Sequence, residues 1–180
     1  MIRIRNSTTR YGLVSKFLHW LSAFMMIGLI WLGWWTVGLD YYDPLYGLAL
    51  TLHRSLGMMM LGLALAFVAW KVVSPSPPIQ ELIPRWQRLA AHAMHGLLLC
   101  MMIAIPSSGY LLTTSAGSGF VIFGGVNIPA LIPVSDSVRD WAELVHYYAS
   151  YGLLFLVAGH AGAAVKHQLW DGIGTLRRMI

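Results

Sequence analysis

The stretch LVHYYASYGLLFLVAGH, Leu144 to His160, carries no Asp, Glu, Lys or Arg and is apolar enough to lie in a bilayer, yet it has a histidine near each end. Ionisable side chains in a membrane helix are costly and normally face protein rather than lipid. A helix turns ~100° and rises ~1.5 Å per residue. The fourteen residues from His146 to His160 therefore bring the two rings to within ~40° of each other and separate them by ~21 Å along the axis. The two rings share one face, one near each membrane surface. A segment built this way is a spanning helix with two interior polar positions, and it needs neighbours to receive them.

Those neighbours are visible on either side. Of the 180 residues 57% are hydrophobic and only 11% are charged, whereas soluble domains carry about 25% charge. Four long apolar blocks stand out, Phe17 to Leu39, Leu48 to Val73, Leu89 to Thr114 and Leu144 to Val165, each near or above the roughly 20 residues that cross a bilayer. With their flanks they predict spans over 15–39, 48–73, 87–114 and 139–168, within a single membrane domain covering 1–180. Four helices in lipid must satisfy their polar groups on one another, so the expected fold is all-α, a transmembrane four-helix bundle.

The formal net charge of +5 matters less than where the charges sit. Arg3, Arg5, Arg10, Lys16, Lys71, Arg85, Arg88, Lys166, Arg177 and Arg178 fall on one side of the predicted spans, with only Glu81 and Asp171 among them. The other side has Arg54 and Arg139 against Asp40, Asp43, Asp136, Asp140 and Glu143. By the positive-inside rule both termini are expected to be cytoplasmic. No basic stripe interleaved with aromatics is present, which argues against nucleic acid as a partner; the expected partner is membrane lipid. The N-terminal apolar stretch outruns the roughly 7–15 residues of a cleavable signal core and reads as a retained first span. The one cysteine, Cys100, lies inside the third block, so neither a disulfide framework, a zinc pattern nor a covalent haem motif is expected.

The connections differ in character. LDYYDPLYG is a short outer turn, and the proline-rich SPSPPIQELIP is a stiff inner loop that cannot continue a helix. The third connection, 115–138, is too broken by Gly and Pro to span and too apolar to float in water. It reads as an outer lid lying over the mouth of the bundle.

There are seven histidines: His19, His53, His92, His95, His146, His160 and His167. His19 follows Lys16 closely and sits at the depth of His160, while His53 follows the outer turn and sits at the depth of His146. The chain thus offers one pair at each depth. Paired neutral imidazoles on facing helices suit a planar cofactor with axial ligands, as haem is held. Zinc wants three or four ligands converging on one point, and a proton relay usually includes Asp or Glu inside a span, which the four apolar blocks lack. Haem is favoured; a small transporter or proton carrier is the alternative. Glycines on all four blocks would let a porphyrin approach the backbone, and they equally suit close helix packing. Trp20, Tyr41, Tyr42, Trp70 and Trp86 are expected at the interfaces.

SKFLHWLSA (15–23), LHRSLG (52–57), AAHAMHGLLL (90–99), FGGVNIPAL (123–131), LVHYYASYGLLFLVAGHAGAAVKH (144–167) and LRRM (176–179), in that order and spacing, resemble the bacterial cytochrome b561 family. The resemblance covers nearly the whole chain. It implies a multi-pass protein of the bacterial inner membrane with two non-covalent b-type haems that exchange electrons with ubiquinone. On the matched motifs His19 and His160 would ligate an inner haem iron, and His53 and His146 an outer one. His95 matches a third-span histidine of the family and is a candidate for lining a quinone pocket, with His92 and His167 less so. Arg54, beside His53, is the candidate partner for haem propionates; Arg139 has acidic neighbours that would occupy it. Some members of the family oxidise superoxide at the outer haem. The acidic outer side of this chain disfavours an anionic substrate there and would suit a basic periplasmic redox partner.

Overall fold

The structure is a computed structural model and describes residues 3–180. It contains four long helices, α1 (Leu13–Gly38), α2 (Tyr46–Val73), α3 (Arg85–Thr114) and α4 (Asp136–Leu169). All four are long and apolar enough to cross a membrane. Spans are helical because lipid offers no partner to an open N–H or C=O, so each backbone group must bond within its own segment. α4 has 34 residues, ~51 Å of helix against a hydrocarbon core of ~30 Å. Its first two turns hold Asp136, Arg139, Asp140 and Glu143, and its apolar run begins after them.

Successive helices pack side by side, α1 on α2, α2 on α3 and α3 on α4. Met26, Met60, Ala64, Met102 and Leu153 make the core, with at least one residue from every helix. Around it the surface is apolar: Val37 is 88% and Phe155 76% exposed, as a lipid-facing rim requires. Small hydroxyl side chains, among them Ser22, Ser55 and Ser108, are buried between helices, where they allow close backbone approach. Pro106 lies inside α3 and removes one backbone donor from the helix ladder.

The third connection is where the chain departs from an all-helical reading. β1 (Phe120–Ile122) pairs antiparallel with β2 (Val126–Ile128), Phe120 opposite Ile128 and Ile122 opposite Val126. The turn between them, Phe123–Gly125, has Gly124 and Gly125 at φ 75° and 77°, a left-handed conformation that glycine adopts without a β-carbon penalty. Tyr110 of α3 ties the hairpin down: its hydroxyl donates to the Pro129 carbonyl at 2.9 Å and accepts from the Leu131 N–H at 2.8 Å.

At the opposite end of the bundle the segment around Asn6 and the C-terminal tail both meet the α2–α3 loop. Asn6 accepts from the Gly12 N–H, donates through Nδ2 to the carbonyl of Ser74 at 2.8 Å, and its own N–H reaches Ser74 Oγ at 2.9 Å. A β-carbon at Gly12 would overlap the backbone of Ile4 and Arg5. The C-terminal tail closes on the same end: Lys16 donates to the carbonyl of Ile180, the Trp20 indole donates to that of Met179 at 2.8 Å, and Arg178 donates to that of Pro78 at 3.1 Å.

Candidate functional site

Four of the histidines come together as two pairs, one near each end of the bundle. At the hairpin end, α2 and α4 bring His53 and His146 to 6.0 Å between ring centroids, with the rings at 76°. At the end where the termini meet, α1 and α4 bring His19 and His160 to 6.1 Å at 60°. All four are half-buried. An imidazole nitrogen ~2.0 Å from a metal puts its ring centroid ~3 Å from the ion, so two axial rings stand about 6 Å apart. Both pairs have that spacing. Among the described residues no group of three or more His, Cys, Asp or Glu converges as a metal site.

The hairpin-end pair opens on a cavity of about 230 Å³ lined by His53, Arg54, Gly57, Gly109, Phe120 and His146 among others. Arg54 therefore lies where an anionic group of a bound molecule could reach it, and Phe120 carries the hairpin into the same wall. A smaller hollow of about 60 Å³ leads from the same two rings towards Met26, Met60 and Leu153. Arg139 is engaged elsewhere, 3.2 Å from Asp136 and 3.0 Å from Asp140.

His146 is also held from behind. Its Nδ1 lies 3.0 Å from the Ile105 carbonyl oxygen and 3.2 Å from Ser108 Oγ. A carbonyl can only accept, so Nδ1 carries the proton and Nε2 is left with its lone pair. Metal-binding imidazoles are commonly oriented by this kind of bond. Ser108 donates its own proton to the same carbonyl at 2.7 Å. His53 Nδ1 is buried and meets no hydrogen-bond partner in good geometry among the described residues. Neither Ser108 nor Ile105 was expected from sequence; the only signal was a Ser-Ser pair within an apolar span after Pro106.

At the other end the structure adds a neighbour. His95 lies 5.3 Å from His160, nearer than His19 does, at 71°; His95 and His92 are both exposed. His167 belongs to a different cluster, its Nδ1 2.6 Å from Asp171 Oδ2, which also accepts from Lys166 Nζ at 2.7 Å. The Asp171 carboxyl is held below the ordinary carboxylate range by the Lys166 bond first and the His167 bond second.

Four apolar helices that bring four histidines together as two facing pairs near opposite ends of the bundle define a membrane protein with imidazole donors between its helices. A family model described as prokaryotic cytochrome b561 matches residues 10–180. The chain is 38% identical over 177 residues, 97% of its length and 93% of the relative's, to cytochrome b561 homolog 2 of Escherichia coli (strain K12). It is 27% identical over 176 residues to cytochrome b561 homolog 1 of the same organism, covering 95% of this chain and 97% of that one. A protein named probable superoxide oxidase CybB, from Yersinia pestis, is 24% identical over 176 residues, 95% of this chain and 96% of that one. The chain belongs to the prokaryotic cytochrome b561 family. It is thus a multi-pass bacterial membrane cytochrome, an electron-transfer protein, and the family implies haem b as its cofactor.

Proposed function

We propose that the protein holds two b-type haems, one at each histidine pair, and passes electrons across the inner membrane to or from ubiquinone. The observation that carries this reading is the 6.1 Å and 6.0 Å spacing of His19 with His160 and of His53 with His146. On this reading residues 1–180 form a single membrane domain with spans near 15–39, 48–73, 87–114 and 139–168 and the termini in the cytoplasm. The hairpin end is then the outer one, since the basic residues gather at the other. Haem b, when bound, supplies the one-electron chemistry. The chain does the rest: the four imidazoles hold the iron positions, Arg54 offers a cation to outer propionates, and the apolar helices exclude water. His95, next to His160, is the candidate quinone contact at the inner end.

Two donors or acceptors fit the outer end differently. The name of the Yersinia pestis relative brings superoxide into view, and Arg54 at the cavity wall would meet an anion. The five outer carboxylates, Asp40, Asp43, Asp136, Asp140 and Glu143, oppose an anion and favour handover to a basic periplasmic redox protein. The general quinone-linked reading stands with either.

The test is a reduced-minus-oxidised absorption spectrum of the purified protein with extracted haem quantified per chain. Two b-type haems per chain are expected. One haem would leave one of the pairs without this role, and a colourless protein would overturn the reading in favour of a transporter.

A further inference from the structure

Gly33 in α1 and Gly109 in α3 stand in helix interiors, where alanine is the better helix former. Glycine in a membrane helix allows another group to approach, and at most helical glycines that space is open. Nothing lies within 4 Å of where a β-carbon would stand at Gly28, Gly57, Gly62, Gly96, Gly152 or Gly162. Gly33 and Gly109 differ from these. A β-carbon at Gly33 would come 3.2 Å from Cε1 and 3.6 Å from Nδ1 of His53; at Gly109 it would come 3.1 Å from Cε1 and 3.3 Å from Nδ1 of His146. Both rings of the hairpin-end pair therefore turn the same edge towards a glycine of the preceding helix in the chain, His53 of α2 against α1 and His146 of α4 against α3. Among the described residues no glycine has His19 or His160 among its nearest neighbours. The arrangement belongs to one pair only.

We propose that Gly33 and Gly109 are positioning residues for the hairpin-end pair. Each leaves the volume of one methyl group beneath an imidazole, and that volume sets the angle at which His53 and His146 present Nε2. The inference rests on the reading of these two histidines as axial ligands. At Gly109 the same space lets His146 come close enough to α3 for Nδ1 to reach the Ile105 carbonyl and Ser108. A methyl group at 3.1 or 3.2 Å is closer than ordinary carbon contact, so the ring must rotate or retreat by a few tenths of an ångström. The relative orientation of two axial imidazole planes governs the low-spin ferric EPR signal, so such a rotation is directly readable.

The experiment is low-temperature EPR of the purified holoprotein as wild type, Gly33→Ala and Gly109→Ala. Gly38→Ala serves as the control, because its methyl would meet nothing within 4 Å; His146→Ala identifies which ferric signal belongs to the hairpin-end pair. The largest g value of that signal is expected to shift, or the signal to be lost, in both glycine variants, while the other haem signal is unchanged in all. The unchanged signal doubles as a check that the bundle has folded. Wild-type protein without haem signals defeats the ligand assignment itself. Signals present but identical to wild type in both glycine variants overturn the positioning role alone. Loss of both signals in both variants would mark general helix packing and overturn it as well.

Discussion

On the proposed ligand assignment, replacing one imidazole would remove the only donor on its side of a pair, and the two pairs stand near opposite ends of α4, so each change should act locally. His146→Ala is expected to lose one haem and keep the other, and His160→Ala the reverse, read as haem per chain and as loss of one set of redox bands. His95 complicates the second site, because it is 5.3 Å from His160 where His19 is 6.1 Å. His19→Ala should bleach that site and His95→Ala should spare it; the opposite result would exchange the two residues' roles. His92→Ala should leave both haems. That His19 and His160 share one depth and His53 and His146 another was legible from spacing, because depth in a membrane is counted along a helix from its charged ends; that His95 comes nearer to His160 than His19 does was not. Nor was what surrounds each ring. Azimuth about the helix depends on how neighbours pack, so the Ile105 carbonyl and Ser108 behind His146, and the glycines beneath it and beneath His53, emerge only with the fold. By sequence the glycines suit porphyrin approach and close helix packing equally, and at Gly33 and Gly109 the nearest side chain is a histidine ring.

Elements show the same division. The four helices could be read from hydropathy because lipid permits a spanning segment few other forms. The hairpin over 120–128 was read only as a broken apolar lid. Its signal was present in FVI-FGG-VNI, two short β-branched or aromatic runs around a Gly-Gly turn, but runs this short are ambiguous between strand and loop. β1 packs on α2, and Tyr110 of α3 hydrogen-bonds the chain just after β2. Tyr110→Phe removes both the bond to Pro129 and that from Leu131, each about 1 kcal/mol, without altering the ring. The hairpin should then open more often, and limited proteolysis within 115–135 of detergent-solubilised protein should speed up several-fold while both haem spectra persist. Unchanged cleavage would show that the apolar contacts of the strands hold the segment by themselves. At the other end, Asp171 secures the turn into the C-terminal tail. Its lowered carboxyl pKa means that its stabilisation is complete above the ordinary carboxylate range and is lost as pH falls through the lower native value. Carboxypeptidase release of the tail should therefore rise on acidification below about pH 4 in the wild type, and Asp171→Asn should show the faster rate already at neutral pH.

Over the whole molecule, charge is segregated while the two histidine pairs are alike in composition and spacing. Ten basic residues gather with the termini and the α2–α3 loop, and only Arg54 and Arg139 offset five carboxylates on the hairpin side. Arg139 is already paired with Asp136 and Asp140, which leaves Arg54 as the cation near the hairpin-end cavity. An approaching redox partner therefore meets a negative rim before it meets the single cation inside. Long-range repulsion from the rim is screened by salt within about 8–10 Å at ordinary ionic strength, whereas the short-range attraction of Arg54 in its cavity is screened much less. The two contributions can then be separated by ionic strength. Reduction of the hairpin-end haem by a membrane-impermeant anionic donor, followed by stopped flow in nanodiscs, should accelerate as salt is raised, and reduction by a cationic donor of similar driving force should slow. Replacing Asp40, Asp43 and Glu143 together with their amides should flatten both dependences. If the anionic donor instead slows with salt in the wild type, Arg54 dominates the approach, and an anionic substrate such as superoxide becomes the better match for this end of the protein.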